Sequence, residues 1–225
     1  MDIAVLGTGS VGRAVAGRLH SLGHAVVVGT RDPQATLART EPDGMGNPPF
    51  ATWHADHEGV GLAAFADAAA GAELVVNASS GDVTLDVLRL AGAANLAGKV
   101  LVDIANPLDF SNGFPPTLFV KDTDSLGEQV QRAFPEARVV KTLNTLTAAL
   151  MVDPAALGAP STVFVSGDDA TAKALVTDLL TSFGHEDVID LGGIDTARGT
   201  EMLLPVWLRL MGALGTAQFN FHVVR

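Results

Sequence analysis

Cysteine is missing from all 225 residues. That removes disulfides, thiolate metal sites and thiol nucleophiles together, without fixing the compartment. Basic residues are scarce: 14 Lys plus Arg stand against 25 Asp plus Glu, a formal net charge of −11. Sequence-independent affinity for phosphate backbones comes from clustered Lys and Arg, so this balance argues against a general nucleic-acid binder and any anionic ligand must be held locally. Long apolar runs are missing as well. The longest stretch without an acidic or basic side chain, residues 154–167, is interrupted by Pro160 and glycines and cannot span a bilayer. No basic region with an apolar stretch and cleavage site precedes Gly7, so no signal peptide is expected and a cytoplasmic location is the default. Internal repeats and low-complexity tails are absent too. What is present is 48% apolar and 17% charged, the composition of a chain that buries a sizeable core in one large domain or one domain with an appendage.

Residues 3–6 (IAVL) are a short apolar run followed at once by glycines, and Val11, Val15, Leu19 and Leu22 then recur at helical spacing. This predicts strand, tight turn, helix. Gly23 is the candidate C-terminal cap, and residues 25–28 (AVVV) form a second buried strand ending at Gly29. A βαβ unit is thereby complete within about 30 residues. Residues 32–58, rich in proline, are irregular apart from a helix predicted over 49–57, where Phe50, Trp53, His54 and His57 share a face. Further strands are predicted over 60–64, 73–78, 99–104, 138–143, 162–166 and 187–191. Helices are predicted over 66–70, 83–94, 125–133, 170–183 and 195–214, and a loop rich in Pro, Asn and Gly over 106–116. Strands that read as continuous apolar runs between helices indicate a mainly parallel sheet covered on both faces.

The turn after the first strand is Gly7-Thr8-Gly9-Ser10-Val11-Gly12, a complete G-x-G-x-x-G. Alone the pattern is common, but here it follows a strand, opens a helix and lies in a βαβ unit, the context of a dinucleotide fingerprint. Gly7 permits the tight turn, Gly9 lets the backbone approach a pyrophosphate, and Gly12 lets the helix pack closely on the strand. The free N–H groups of the first helical turn, which holds Ser10 and Val11, supply positive potential for the anion with the helix dipole behind them, and Thr8 lies in the turn itself. An Asp or Glu at the tip of the second strand, about 20 residues on, would bind the ribose 2′-hydroxyl of NAD. This chain has Gly29-Thr30-Arg31 instead. Without a carboxylate there to repel a 2′-phosphate, the Thr30 hydroxyl can donate to it and the Arg31 guanidinium can pair with it or stack on the adenine. NADP is therefore expected over NAD. Arg13, Arg18 and Arg31 against the lone Asp2 make residues 1–31 a locally basic stretch of net +2.

The expected architecture is α/β: a Rossmann-type doubly wound, mainly parallel sheet with a small C-terminal helical cap. It is read as a single NADP-binding domain over 1–225, with a dinucleotide-binding core at 1–145 and a small C-terminal subdomain at 146–225.

The segments GTGSVGRAVAGRL, VVVGTR, GAELVVNA, DIANPL, VVKTLNT and GTEMLLPVWLRLMGALGTAQFNF, in this order, resemble NADPH-dependent reductases related to the F420-dependent NADP oxidoreductases. The cytosolic domain of six-transmembrane metalloreductases is a more distant relative. The likeness runs over residues 1–221. It implies hydride transfer between NADP(H) and a flavin-like partner, coenzyme F420 first and flavin second. The hydride then moves directly between two preorganised rings, and the protein supplies alignment and exclusion of water, so no catalytic acid or base is named. By position, Ala78 and Ser79, Asn106 and Pro107, and Asn144 follow the fourth, fifth and sixth core strands, where a bound dinucleotide would cross the sheet. Small residues there admit a ligand, and amides can hold its carboxamide. Family members can show His where this chain has Asn144, which changes the side chain lining the second ring's pocket.

The same fold and loop serve flavin or ferric reductases and dehydrogenases of small hydroxy or imino acids. Those dehydrogenases usually carry a large all-helical domain, whereas residues 146–225 include two predicted strands. A non-catalytic NADPH sensor is the alternative from another class, because direct hydride transfer leaves no triad to look for. His54 and His57 with Asp56 or Glu58 could ligate a metal, but they continue the Phe50 and Trp53 face and a metal needs three or four convergent ligands, so no metal site is expected. Asp168 is the expected N-cap of the helix that follows it, and Asp195 that of the last helix. In that last helix Pro205 is expected to produce a kink. Met202, Leu203, Val206, Trp207, Leu210 and Leu214 form its wide apolar face, suited to core, to a homodimer contact or to covering the acceptor ring. The expected partners are thus a small-molecule redox acceptor and a second copy of the chain, with no nucleic acid and no membrane.

Overall fold

The computed structural model describes residues 1–42 and 46–225; part of the irregular stretch read over 32–58 thus lies outside the described residues. β1 (Asp2–Leu6) turns through the glycines into α1 (Ser10–Ser21) and the chain returns as β2 (Ala25–Thr30). Gly23, at φ 86°, takes the left-handed turn that ends α1. α2 (Pro33–Leu37), α3 (Phe50–Ala55), β3 (Gly61–Ala64), α4 (Phe65–Gly71) and β4 (Leu74–Asn77) follow. The single helix expected over 83–94 is two, α5 (Thr84–Ala91) and α6 (Ala93–Leu96), because Gly92 at φ 93° breaks it. β5 (Val100–Asp103) comes next, and then a small antiparallel hairpin of β6 (Leu108–Asp109) and β7 (Thr117–Leu118) inside and just beyond the stretch read as loop. The remainder is α7 (Leu126–Ala133), β8 (Arg138–Thr142), α8 (Ala148–Val152), β9 (Thr162–Ser166), α9 (Ala170–Phe183), β10 (Asp187–Gly192) and α10 (Ala197–Leu214).

Eight strands form one sheet in the order β10-β9-β8-β5-β4-β1-β2-β3. From β3 to β8 all neighbours are parallel, the doubly wound arrangement expected from the sequence. The winding reverses between β1 and β4, and the crevice at that switch point is where such sheets bind ligands. β9 joins β8 antiparallel and β10 is parallel to β9, so the last two strands run against the other six.

Both faces of the sheet are covered. Val5, Val28, Val76, Val102, Val140 and Val165 pack under α1, α8 and α9, while Ala4, Leu6, Val75, Leu101 and Val139 pack under α4, α5, α7 and α10. Burying each large apolar side chain contributes about 1.5–3 kcal/mol, which is why the strands need no alternating polar face.

Helix ends follow local chemistry. Ser125 and Glu128 form a reciprocal cap on α7: Glu128 N donates to Ser125 Oγ (3.1 Å), and Ser125 Oγ donates to Glu128 Oε2 (2.8 Å). At α9 the cap is Asp169, which accepts from Ala172 N at 2.7 Å, whereas the expected Asp168 accepts from Ile194 N at 2.9 Å. Asp195 lies in a short 3-10 turn ahead of α10, whose N-cap is Thr196 with no side-chain cap bond. Pro205 sits inside α10.

The apolar face of α10 is divided. Leu204, Trp207 and Leu208 are buried with Phe219 and Phe221 of the following tail, and Trp207 stacks on Phe219 at 5.1 Å. That tail is fastened to the first residue of β9: Thr162 N donates to Phe221 O (2.8 Å), Asn220 Nδ2 to Thr162 O (3.2 Å) and Val223 N to Thr162 Oγ1 (2.9 Å). Met202, Val206 and Leu214 remain exposed. Among the described residues no helix is long and apolar enough to cross a membrane.

Candidate functional site

The glycine loop shows why each glycine stands where it does. A Cβ on Gly7, at φ 132°, would lie 2.5 Å from Ala78 O, and one on Gly12 would lie 2.1 Å from Gly7 O. Both positions are closed by backbone. A Cβ on Gly9 would meet nothing within 4 Å. Gly9 is the N-cap of α1, a helix of 12 residues, so open space lies directly against the first-turn N–H groups of Ser10, Val11 and Gly12, which have no intrahelical acceptor. With the helix dipole behind them, this is a cradle for an anion. Arg13 braces the loop: its Nε donates to Thr8 O at 2.8 Å, Nη1 donates to Pro48 O, and the guanidinium lies 5.6 Å from the Phe50 ring centre.

A cavity of about 490 Å³ extends from this loop and is lined by Gly7, Thr8, Gly9, Thr30, Arg31, Ala78 and Ser79 among the residues expected from sequence. Phe65, Val83 and Val87 give it an apolar wall. Thr30 is buried and its hydroxyl lies 2.8 Å from that of Thr36. Two hydroxyls sharing one bond leave one proton for a further acceptor. The neighbouring carboxylate, Asp32, is occupied as the N-cap of α2, accepting from Ala35 N at 2.9 Å. Of the three arginines in the basic N-terminal stretch, Arg31 reaches this cavity. Arg18 does not, because its Nη2 donates to the Ser182 and Phe183 carbonyls at the end of α9 (3.2 and 3.3 Å). Arg39 also lines the cavity and was not singled out from the sequence.

Asn106, Pro107 and Asn144 do not line that cavity; Asn106 and Asn144 meet each other instead, and Pro107 O accepts from Phe119 N at 2.9 Å. Asn106 Nδ2 donates to Asn144 O (2.7 Å), and Asn144 Nδ2 donates to Asn106 Oδ1 (3.0 Å), so the two amides bridge the loops after β5 and β8. Leu143, just before, is held at φ 58°, a left-handed conformation that costs a non-glycine residue energy and tends to persist at functional positions. A Cβ on Gly81 would lie 1.9 Å from Asn106 O, so the loops after β4 and β5 touch.

Beneath these loops runs a polar ladder that sequence reasoning missed. Asn77, Asp103 and Lys141 are register partners on β4, β5 and β8. Asn77 Nδ2 donates to Asp103 Oδ1 (2.7 Å), Lys141 Nζ donates to Asp103 Oδ2 (2.9 Å) and to Ala105 O, and Lys141 pairs with Glu201 of α10 (2.9 Å). Glu201 also accepts from Leu126 N (2.8 Å) and Gly127 N (3.0 Å) at the start of α7. At the other end Ser79 Oγ donates to Asn77 Oδ1 at 2.6 Å. Burial pulls the Lys141 ammonium down, but Asp103 and Glu201 outweigh it and hold its pKa above the usual lysine value. The sequence signal was a lysine in the apolar strand VVKTL, where neither face of the sheet can meet water.

His54 and His57 take the structural role: the ring nitrogen of His54 lies 2.9 Å from Val60 O, that of His57 2.7 Å from Trp53 O, and Trp53 stacks on His57 at 4.2 Å.

A family model described as NADP oxidoreductase, coenzyme F420-dependent, matches residues 2–107. The chain is 29% identical over 210 residues to metalloreductase STEAP3 of Rattus norvegicus, covering 91% of this chain and 37% of that protein. It is 29% identical over 147 residues to the F420-dependent NADP reductase of Methanocaldococcus jannaschii, covering 64% of each. The chain thus spans 37% and 64% of these two relatives' lengths. A crystal structure from Arthrobacter sp. FB24, assigned as an F420-dependent NADP-reductase, is 67% identical with a TM-score of 0.97 and full coverage of both chains.

Proposed function

This chain belongs to the family of coenzyme F420-dependent NADP oxidoreductases, and we propose that it passes hydride directly between NADP(H) and a deazaflavin or flavin, coenzyme F420 foremost. The observation that carries the reading is the open cradle at Gly9, where a side chain has room and yet none is present, at the N-terminus of α1. In this reading the N–H groups of Ser10, Val11 and Gly12 take the pyrophosphate beside Thr8, while Gly7 and Gly12 shape the turn. Thr30 and Arg31 face the adenosine 2′-phosphate, and Phe65, Val83 and Val87 offer an apolar wall to the adenine. Ala78, Ser79, Asn106, Pro107 and Asn144 flank the nicotinamide end. Residues 1–145 carry the nucleotide, and 146–225 form the smaller C-terminal part.

The nucleotide, when bound, supplies or receives the hydride. The chain's part is to align two rings and exclude water, which needs no side chain to move a proton. The ladder under the site supports that role by fixing the loops that carry Ser79 and Ala105.

Oxidation of NADPH with F420, FMN and ferric chelates in parallel tests the proposal. Turnover with F420 well above the other acceptors is expected. Tight NADPH binding without turnover on any acceptor would overturn it in favour of a sensor. A ferric reductase is the second reading, favoured by the 29% identity to a metalloreductase across 91% of this chain.

A further inference from the structure

Arg39 lies two residues beyond α2, exposed, on the wall of the nucleotide cavity. It also lines an adjoining cavity of about 620 Å³, and Thr8, Gly9 and Thr36 border both spaces with it. Among the described residues neither Arg31 nor Arg39 has a hydrogen bond or an ion pair. Four of the eight other arginines on this acidic chain find carboxylates: Arg89 with Asp86, Arg132 with Asp124, Arg198 with Glu128 and Arg225 with Asp187. Asp32, the carboxylate within reach of the cavity, is turned to the α2 backbone, and Glu41 on the adjoining cavity makes no ion pair with either arginine. Two guanidinium groups therefore stand unpartnered around the Thr30–Thr36 hydroxyl pair.

A phosphate monoester suits this arrangement. It carries close to two negative charges and three acceptor oxygens, more than one planar guanidinium can satisfy. A ribose 2′-hydroxyl offers no charge to hold a second arginine in place. The short helix α2 offers few donors of its own, since Pro33 has no N–H and the Ala35 N–H is already taken by Asp32.

We propose that Arg39 is a specificity-determining residue that grips the adenosine 2′-phosphate together with Arg31, so that selection of NADP over NAD is shared between two arginines eight positions apart. The inference rests on the NADP reading given above. It goes beyond it by assigning the discrimination to a residue outside the tip of β2.

Dissociation constants for NADPH and NADH, measured on wild type, Arg31→Gln, Arg39→Gln and Arg39→Lys, test it. Removing a charge-assisted bond to phosphate should weaken NADPH binding roughly 10- to 100-fold in Arg39→Gln and leave NADH unchanged. Arg39→Lys should recover part of the loss, because a point charge replaces part of the fork. A wild type that prefers NADPH, with an Arg39→Gln variant that keeps the preference within twofold, would overturn the inference and leave the NADP reading standing. A wild type that binds NADH as tightly as NADPH would remove the NADP reading and this inference together. Arg39 is exposed, so an unchanged unfolding midpoint confirms that the variants are folded.

Discussion

Lys141 Nζ and Asp103 Oδ2 lie 2.9 Å apart on adjacent parallel strands, with neither side chain exposed to solvent. Glu201 shares the same ammonium, so one cation stands between two carboxylates. Breaking a buried pair by removing one partner costs about 3–5 kcal/mol, because the other charge stays buried. Lys141→Met should therefore lower unfolding stability by about that amount, read from urea denaturation. A loss under about 1 kcal/mol would mean that water reaches the pair.

Gly9→Ala and Gly12→Ala separate binding from folding. Gly9 has φ −73°, which any residue adopts, and room for a Cβ, so the alanine variant should fold normally. Its methyl group would occupy the place of the nucleotide, and NADPH affinity should fall at least about tenfold. Gly12→Ala should instead lose thermal stability, since its Cβ would fall 2.1 Å from Gly7 O. Equal stability of the two variants would contradict the packing described for the loop.

Acid should act on the fold in two windows. Burial lowers the pKa of His185 from 6.5, opposed by its bond to the Met151 carbonyl. A depressed histidine contributes stability above its unfolded pKa that is lost as pH falls below it. Asp124 is lowered from 3.8 to about 2, chiefly by hydrogen bonds from Arg132, with burial opposing. Its contribution is present above pH 3.8 and is lost as pH falls toward 2. Stability measured against pH in His185→Gln and Asp124→Asn should lose the first and second slopes respectively; unchanged profiles would assign the acid response to other groups.

The amide bridge is tested by Asn144→Ala. Without it Asn106 loses a donor and its loop loses a tie to β8, so turnover with the acceptor should fall while the NADPH dissociation constant moves less than threefold, about 0.6 kcal/mol. Equal losses in both would mean that Asn144 anchors the nucleotide itself rather than aligning its nicotinamide end with the acceptor.

Much of this was legible from local rules. The β1 glycine loop, the exact span of α9 and the buried β4, β5 and β8 strands each follow from apolar runs bounded by glycine, proline or a capping residue. Strand direction was not: an apolar run such as residues 162–166 reads alike in either sense, and β9 runs antiparallel to β8 after the segment that carries α8. Asp168 and Asp169 are adjacent acids, and only the helix's first turn decides which one caps it. Partners distant in sequence were also invisible, since Asn106 and Asn144 satisfy each other across 38 positions and Lys141 meets Glu201 through the packing of α10.

The chain has two tryptophans and no tyrosine. Trp53 stacks on His57 and meets Phe50 at a tilt, next to the brace that Arg13 makes under the glycine loop, and Trp207 lies beneath the tail clasped to Thr162. The protein therefore carries two intrinsic optical reporters at different places, free of tyrosine background. With Trp207→Phe, the remaining emission follows events at the nucleotide loop; with Trp53→Phe, it follows release of the C-terminal clasp, so occupancy and fraying can be watched separately in one fold.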